Sequence, residues 1–567
     1  MKRKKMKVNI LSLLGLAAML FTACATDDVA HDRQNQKQKS DGEGLTAFSV
    51  NNETPPTKPT TRTAGEYTGT GVRFYWTKHD KLGVEIEADP VTHRKVFQWD
   101  DRNDIEKQLE ASGKDRTPRA KFWFSGEYTA PQYPVRYVGN LKYPYFYCTN
   151  IENKQEQTKP NDAAELGKYG DCGTGMAYRQ TDGNYTFMID HKASYITFLP
   201  YTSQKGVARA KIEKIKVTAD KAVCGIFKFD DNGIDLSSRP ATTDDNNHIE
   251  LKLNNFPIPL TNPDANANAA IMVIAPGTYS KFTVEYTIYE DNSYPHDGTG
   301  VRGTITKEYS NVTFTAGKNK IISQNLQVPE YRGDVYYMWD AAVGQHYWKG
   351  YEWNGPHPEQ PTFSYQITGS TNYPKDNTDP RWYRELPNGL TRDADIEAKR
   401  SCKDCPNVNE LYWYVEKGDY YWDNSLWVCM DHLNKGGHWL KKLSVIAKEE
   451  GKSVSDLKNV SPDGKDHRKE GMPLPVYRRI LSNDHWACKP ANINDYFYLP
   501  DLSFYHQTGG PGGQGTYWSS TPIYDWDSVW GPHFTKNAYW LFLGGTFIEL
   551  NSMTADRGCP QNWPTDR

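Results

Sequence analysis

Four residues in the C-terminal half have the types and spacing of a zinc site. Cys402 and Cys405 form a CxxC pair, and Cys429 and His432 form a CxxH pair, so thiolate and imidazole ligands are available. The 23 residues between the pairs exceed the usual finger spacing. Because the chain begins with a segment typical of exported proteins, a disulfide or a buried thiol is favoured over a metal-bound thiolate. We expect no metal or cofactor.

Known catalytic motifs are missing from the sequence. It contains no GxSxG, HExxH or P-loop, and its Asp and Glu residues are scattered without a paired-carboxylate pattern. We therefore expect a protein that is not an enzyme. The net charge of −3 gives no indication of electrostatic binding to nucleic acid.

One aromatic and charged stretch near the C-terminus could bind an extracellular ligand. Residues 523–533, IYDWDSVWGPH, are polar and bounded by Pro and Gly, which predicts a loop. We expect Trp526 and Trp530 to be exposed there, beside Asp525, Asp527 and His533. Such rings could stack on a sugar or anchor a protein partner. For any single tryptophan, core packing is the commoner role.

The N-terminus predicts export as a lipoprotein. Residues 2–5 are basic, and residues 10–21 form an apolar run too short to span a bilayer. Cys24 follows the small residues Thr22 and Ala23 and resembles the cysteine of a bacterial lipobox. The resemblance implies that Cys24 is acylated and anchors the precursor in the cell outer membrane, since each buried methylene contributes about 0.8 kcal/mol. The alternative is an ordinary signal peptide with a chance cysteine.

The elements that position these residues are predicted to be mainly β-strands. The 567 residues are 37% hydrophobic and 24% charged, which is enough apolar material for several packed cores. Short alternating runs between Gly and Pro turns are frequent, as in Val72, Phe74 and Trp76, and helix-period runs are scarce. Of the 17 tryptophans, 14 lie after residue 330, which indicates a domain boundary there.

We predict five segments. Residues 1–23 are the signal peptide, and residues 24–70 hold a polar tether, a strand at 45–50 and an accessible Pro/Thr-rich stretch. Residues 71–200 and 201–330 form two β-sandwiches. Residues 331–567 form a third domain, with helices over 407–415, 424–433 and 439–450 and a hairpin around Gly544-Gly545.

Several strand sequences between residues 45 and 328 occur in an order that resembles one family, the Bacteroidetes fimbrillins. They are TTRTAGEY…FYWTKHDKLGVEI, IDHKASYITF, KIKVTADKAVCGIFKFD and FTAGKNKIISQNLQV. The resemblance implies two fimbrillin-like (transthyretin-like) β-sandwiches. It also implies cleavage between Arg62 and Thr63 by an Arg-specific protease, which would release the lipid and the strand that carries Leu45, Phe48 and Val50.

The same resemblance implies how subunits would assemble. Removal of an edge strand leaves unpaired backbone groups and an apolar groove, which a strand from another pilin subunit can fill by β-augmentation. After Val328 and Pro329 the chain continues for more than 200 residues, so we expect no free C-terminal strand to donate. This topology indicates the tip of a pilus rather than its stalk.

The last third resembles the C-type-lectin-like domains of Bacteroidetes surface proteins, an α+β fold. Residues 402–442 and the series YFYLP, YWSS, AYWLFL and ADRGC carry the resemblance. The sequence has neither the Glu/Gln-Pro-Asn/Asp nor the Trp-Asn-Asp tripeptide whose oxygen atoms hold Ca²⁺ in sugar-binding C-type lectins. Calcium-dependent sugar binding is therefore not expected.

Together these features predict a fimbrial tip adhesin that is exported as a lipoprotein and becomes extracellular in the mature fimbrium. Its C-terminal domain is expected to bind an extracellular protein or glycan. One alternative is a surface lipoprotein that stays anchored through Cys24 and binds its ligand outside a pilus. A second is an extracytoplasmic enzyme, because some lectin-like folds host oxidases that use reactive cysteines.

Overall fold

Strands dominate the part of the chain that the structure describes, as the sequence predicted. The computed structural model describes residues 44–50, 64–88, 90–91, 95–139, 146–291, 300–357, 372–386, 397–479, 485–505, 513–527 and 531–567, without the side chains of 524–535. Within these ranges, no helix is both long and apolar enough to cross a membrane.

The elements before residue 330 are mostly short strands with three short helices. The strands are β1 Leu45–Val50, β2 Ala64–Tyr67, β3 Val72–Tyr75, β4 Leu82–Ala88, β5 Lys95–Trp99, β6 Arg102–Asn103, β7 Lys121–Ser125, β8 Gln132–Tyr137, β9 Cys148–Ile151, β10 Lys154–Gln157, β11 Gly173–Arg179, β12 Tyr185–His191, β13 Ser194–Tyr201, β14 Lys211–Ala219, β15 Gly225–Asp230, β16 Gly233–Ile234, β17 His248–Pro257, β18 Ala270–Ile274, β19 Gly277–Glu290, β20 Val301–Phe314 and β21 Asn319–Asn325. The helices are α1 Ile105–Ser112, α2 Lys205–Arg209 and α3 Ala265–Asn268.

An eight-stranded sheet in the order β5-β4-β8-β11-β12-β1-β7-β6 contains the predicted first strand. β1 runs parallel to β12 and has β7 on its other side. The sequence analysis treated this strand as an edge strand, and the structure corrects that: β1 is an interior strand. The physical reason is that β7 and β6 continue the ladder beyond it, so both of its backbone edges have a neighbouring strand.

A second core lies between a five-stranded sheet, β10-β17-β14-β19-β20, and a three-stranded sheet, β18-β13-β21. β14 alternates buried and exposed residues because only one of its faces meets the core, whereas every residue of β18 is buried. β13 spans the predicted boundary at residue 200 and pairs with strands from 270–274 and 319–325. The division into two sandwiches at that position stays a prediction. The remaining small sheets are β16-β15-β9 and β2-β3.

The elements from residue 330 onward mix strands and helices. The strands are β22 Glu330–Tyr331, β23 Tyr336–Tyr337, β24 Tyr421–Cys429, β25 His432–Lys441, β26 Val476–Arg479, β27 Tyr496–Pro500, β28 Gly515–Asp527, β29 Gly531–Gly544, β30 Phe547–Thr554 and β31 Cys559–Pro560. The helices are α4 Val408–Lys417, α5 Leu443–Glu449, α6 Val454–Asn459 and α7 His467–Glu470. They surround the sheets β22-β24-β25-β27, β26-β30-β29-β28 and β23-β31.

The helix predictions for this region are right at one position, partly right at a second and wrong at a third. α4 is confirmed, and Asn407 with Glu410 forms a capping box at its start. The helix predicted over 424–433 is instead the β24–β25 hairpin, because Met430 and Asp431 adopt positive φ angles of 50° and 60° and turn the chain back. In the third stretch, residues 439–441 end β25, and helix α5 begins only at Leu443.

Part of the C-terminal region packs into the core of the preceding sheets. Leu426, Val428 and Leu433 belong to the same buried cluster as the strands of the five-stranded sheet. A Cβ atom on Gly206 would lie 2.6 Å from Val428, and one on Gly303 would lie 2.6 Å from Leu426. Glycine at these two positions therefore permits the close packing.

Candidate functional site

The interior position of β1 depends on backbone hydrogen bonds to both sides. Phe48, Ser49 and Val50 pair in register with Tyr185, Thr186 and Phe187 of β12. The Val50 amide donates to the Ala120 carbonyl at 3.2 Å, next to the start of β7. Loss of β1 would therefore leave the facing edges of β12 and β7 without partners.

Phe48 anchors the strand in an aromatic pocket. It is fully buried and stacks on Tyr185 at 4.6 Å between ring centroids. Phe124, Tyr128 and Tyr133 meet it edge-on at 5.0, 5.3 and 6.5 Å. Burial raises the pKa of Tyr128 to about 12, so its hydroxyl is neutral at physiological pH. Each aromatic pair adds about 0.5–1.5 kcal/mol beyond the area that it buries.

The other two residues predicted for this strand contribute less. Leu45 and Val50 are each half-buried, and Ala47 is buried. Phe48 is thus the principal apolar contact of β1, a single large side chain rather than a row of them. The predicted lipidation site Cys24 and the predicted cleavage site at Arg62 and Thr63 lie outside the described residues. The described chain resumes at Ala64, where β2 begins.

The stretch predicted as a ligand-binding loop is the end of a long hairpin, which corrects that prediction. β28 and β29 stay paired to their tip, with Asp525 opposite His533, Trp526 opposite Pro532 and Asp527 opposite Gly531. The ladder passes Pro522, which cannot donate, by shifting register on both sides of that residue. The structure describes neither the side chains of Asp525, Trp526, Asp527 and His533 nor any part of Trp530. The exposure of these residues and their role in ligand binding therefore stay predictions.

The hairpin predicted around Gly544-Gly545 is confirmed, because β29 and β30 pair antiparallel up to Gly544 and Phe547. Several tryptophans nearby pack in the core, the role that the sequence analysis gave as the commoner one. Trp339 donates to the Ser519 carbonyl at 3.0 Å, and Trp518 donates to the Tyr337 carbonyl at 2.8 Å. Both indoles are buried, so these bonds satisfy N–H groups that water cannot reach.

Cys402, Cys405 and Cys429 are buried thiols that form no disulfide with one another. Burial raises the pKa of Cys429 to about 12 and that of Cys405 well above its ordinary value, so both stay protonated. His432, the fourth residue of the zinc-like pattern, stacks on Trp353 at 3.6 Å and lies 3.5 Å from Glu290. Within the described ranges, no three His, Cys, Asp or Glu side chains are placed to hold a metal ion.

A cleft of about 440 Å³ in the C-terminal region was missed by the sequence analysis. It lies between the end of α4, the end of β25 and the edge strand β26, and His485 closes one side. Most of its lining is ionisable, and these residues are Glu416, Lys417, Asp419, Lys441, Arg478, Arg479 and His485. The consecutive arginines of VYRR on a short strand were the only signal of this cleft in the sequence.

Most charges of this cleft pair with one another or with adjacent residues. Arg478 lies 3.6 Å from Glu416 and also donates to its carbonyl oxygen. His485 lies 3.3 Å from Asp419. Lys417 pairs with Glu450 at 2.8 Å, and Lys441 pairs with Glu449 at 3.1 Å.

Comparison with known proteins gives only distant structural likeness. No known family and no curated protein matches the sequence. A candidate cell adhesion protein from Bacteroides ovatus aligns over 45% of this chain and 85% of its own, at 12% identity and a TM-score of 0.26. One from Parabacteroides distasonis covers 50% and 90%, at 7% identity and a TM-score of 0.23.

A third solved structure, a fimbrial protein from Bacteroides ovatus, covers 86% of this chain and 94% of its own, at 11% identity and a TM-score of 0.18. The chain is thus similar, at low identity, to adhesion and fimbrial proteins of Bacteroidetes. Likeness at this level establishes neither family membership nor function.

Proposed function

We propose that the chain is the tip subunit of a fimbrium, matured by loss of β1. The observation that carries the proposal is the position of β1, an interior strand between β12 and β7 that one buried ring, Phe48, fixes in place. A strand from the next pilin subunit would enter the vacated groove, pair with both exposed edges and place an apolar side chain where Phe48 was.

Cleavage between Arg62 and Thr63 would make this exchange possible. The 13 residues from 51 to 63 are the only covalent link between β1 and β2. Once that link is cut, β1 is held by noncovalent contacts alone and leaves together with the acylated Cys24. An incoming strand forms the same backbone hydrogen bonds to β12 and β7 that β1 formed. The net free-energy cost of replacing β1 is therefore small.

The end of the second core supports a tip position. Leu326 donates to Tyr201 at 2.7 Å, and Val328 donates to the side chain of Gln204 at 3.0 Å. Directly afterwards Pro329 accepts from Val428 at 2.9 Å, and β22 pairs in parallel with β24. The segment that would serve as a donor strand is therefore held inside its own chain, next to the C-terminal region.

We further propose that the C-terminal region, a lectin-like domain, is the ligand-binding end. It combines α4 and α5 with looped sheets, and its predicted contact residues are Asp525, Trp526, Asp527, Trp530 and His533. The ligand is an extracellular protein or glycan. The mature protein belongs to the extracellular fimbrium, and the precursor belongs to the outer membrane.

N-terminal sequencing of the chain recovered from surface fimbriae tests the assembly proposal. We expect a start at Thr63, and we expect Arg62→Ala to keep the acylated Cys24 and to stay out of the fimbriae. Arg33→Ala, in the tether, is the matched control and should still start at Thr63. Retention of Cys24 in the wild-type surface protein would instead favour an anchored receptor outside a pilus.

The enzyme alternative has a separate test. Cys402→Ser with Cys405→Ser removes the thiols that an oxidase would need. We expect these changes to leave ligand binding and fimbrial incorporation unchanged in any variant that folds, because both thiols are buried.

A further inference from the structure

Arg479 lines the charged cleft at the end of α4. Among the described residues, no carboxylate lies within ion-pair distance of Arg479, whereas Arg478 and His485 both face acidic partners. Arg479 is exposed at the cleft. A guanidinium presents a planar fork that binds a carboxylate or a sulfate through two parallel hydrogen bonds.

An exposed aromatic ring, that of Trp486, lies against the turn between β29 and β30. Trp486 stacks on Trp422 at 4.3 Å and 26°, and it remains 42% exposed. Two backbone contacts hold Trp486 in place. Trp486 forms an isolated parallel β-bridge with Trp422, and the Cys488 amide donates a hydrogen bond to the Trp422 carbonyl at 3.2 Å. The ring lies on Gly545, where a Cβ atom would come within 2.9 Å of it.

The hairpin turn between β29 and β30 brings ring and cation together. Gly545, beneath Trp486, is two residues from Phe547, which pairs directly with Arg479 of β26. Tyr477 is 60% exposed and lies two residues before Arg479, hence on the same face of β26. Trp486 thus lies at the turn, and Tyr477 and Arg479 lie on the neighbouring edge strand β26.

We propose that the exposed surface formed by Tyr477, Arg479 and Trp486, beside this cleft, binds an acidic saccharide, a sugar chain that carries carboxylate or sulfate groups. Its rings stack on Trp486 and Tyr477, and its acid group pairs with Arg479. An acidic peptide fits less well. It would bind as an added strand along the edge of β26, and β26 has only four residues with which to form backbone hydrogen bonds. The inference deepens the proposed ligand-binding role of the C-terminal region and rests on it.

Titration calorimetry on the full chain, made lipid-free by Cys24→Ser, tests the site with four probes. They are a heparin-derived hexasaccharide, hexagalacturonate, maltohexaose and a hexaglutamate peptide. We expect one or both acidic sugars to bind, with an affinity that falls as salt is added, and maltohexaose to bind at least tenfold more weakly. Hexagalacturonate separates recognition of carboxylate from recognition of sulfate.

The variants locate the binding. Arg479→Gln and Trp486→Ala should each weaken the acidic sugar at least tenfold, while the matched controls Arg119→Gln and Tyr178→Ala should not. Arg119 and Tyr178 are exposed on the eight-stranded sheet side of the chain. Unfolding midpoints check that each variant folds, and Arg479→Gln, at an exposed position, is decisive if Trp486→Ala does not fold.

Four results would each overturn the inference: no binding of either acidic sugar, equal binding of the neutral sugar, tighter binding of the peptide, or unchanged affinity in Arg479→Gln. Because these measurements use purified protein, they are independent of fimbrial incorporation. A chain that starts at Thr63 in fimbriae but binds no acidic sugar would refute the inference alone.

Discussion

At the scale of single residues, one ring and one carboxylate stand out. Phe48 is the main apolar contact of β1, and Glu290 is a buried carboxylate between the second core and the C-terminal region. Glu290 accepts from Arg209 at 2.9 Å and from the Leu433 amide at 2.9 Å, and it lies 3.5 Å from His432. Each residue supports a prediction that can be tested on purified protein.

We expect Phe48→Ala to destabilise the uncleaved chain by about 3–5 kcal/mol, because it empties a pocket of four aromatic rings. Denaturant unfolding of the Cys24→Ser chain measures the change. Ile226→Ala, at a position that is 62% exposed, is the control and should change stability by less than about 0.5 kcal/mol. Similar losses in both variants would contradict the role of Phe48.

Glu290 should make stability depend on pH. Burial alone would raise its pKa, but the nearby His432 and hydrogen bonds from Arg209 and the Leu433 amide outweigh burial and lower the pKa below its ordinary value of 4.5. A carboxyl whose pKa is depressed by folding stabilises the protein above its unfolded-state pKa. That contribution is lost as the pH falls through the folded-state value.

The corresponding measurement compares thermal midpoints from pH 7 down to pH 3. Wild type should lose stability as the pH falls below about 4.5, and Glu290→Gln should lose about 1–3 kcal/mol at pH 7 but show a flatter profile. Glu156→Gln, at an exposed pair with Lys252, is the control and should keep the wild-type profile. If the thermal midpoint falls equally steeply with pH in wild type and in Glu290→Gln, the prediction is wrong.

At the scale of elements, the hydrophobic periodicity of the sequence predicted where strands lie, but it did not predict which strands pair with one another. The alternation of β3 and the fully apolar run of β18 are both visible in the sequence, because each follows from which faces are buried. The interior position of β1 could not be predicted, since it depends on pairing with β12, more than a hundred residues away. The false helix at 424–433 arose because Leu426 and Leu433 also fit a helical spacing.

The candidate site could not be predicted from the sequence for the same reason, because its residues come from distant segments of the chain. The motif order suggested a ligand-binding role for the last third, but the cleft at Arg479 combines the edge strand β26, the end of α4 and the end of β25, which are far apart in sequence. In the sequence, Trp486 is one tryptophan among 17, and its exposure follows only from the fold around Trp422 and Gly545.

At the scale of the whole molecule, the C-terminal region shares a core with the sheets before it. Gly206→Ala combined with Gly303→Ala should loosen this contact, because each new Cβ atom would lie 2.6 Å from a buried side chain. We expect the double variant to unfold in two calorimetric steps where wild type unfolds in one. Gly71→Ala, which meets no atom within 4 Å, is the control. A single step in the double variant would contradict the prediction.

The parallel pairing of β1 with β12 also bears on mechanical load. If a neighbour's strand takes that place, tension along a fimbrium runs lengthwise through the strand. All the hydrogen bonds of the ladder then share the force in shear, instead of opening one after another as they would in unzipping. In the proposed tip subunit, such a strand would resist a pull along its length better than a pull that peels it from one end.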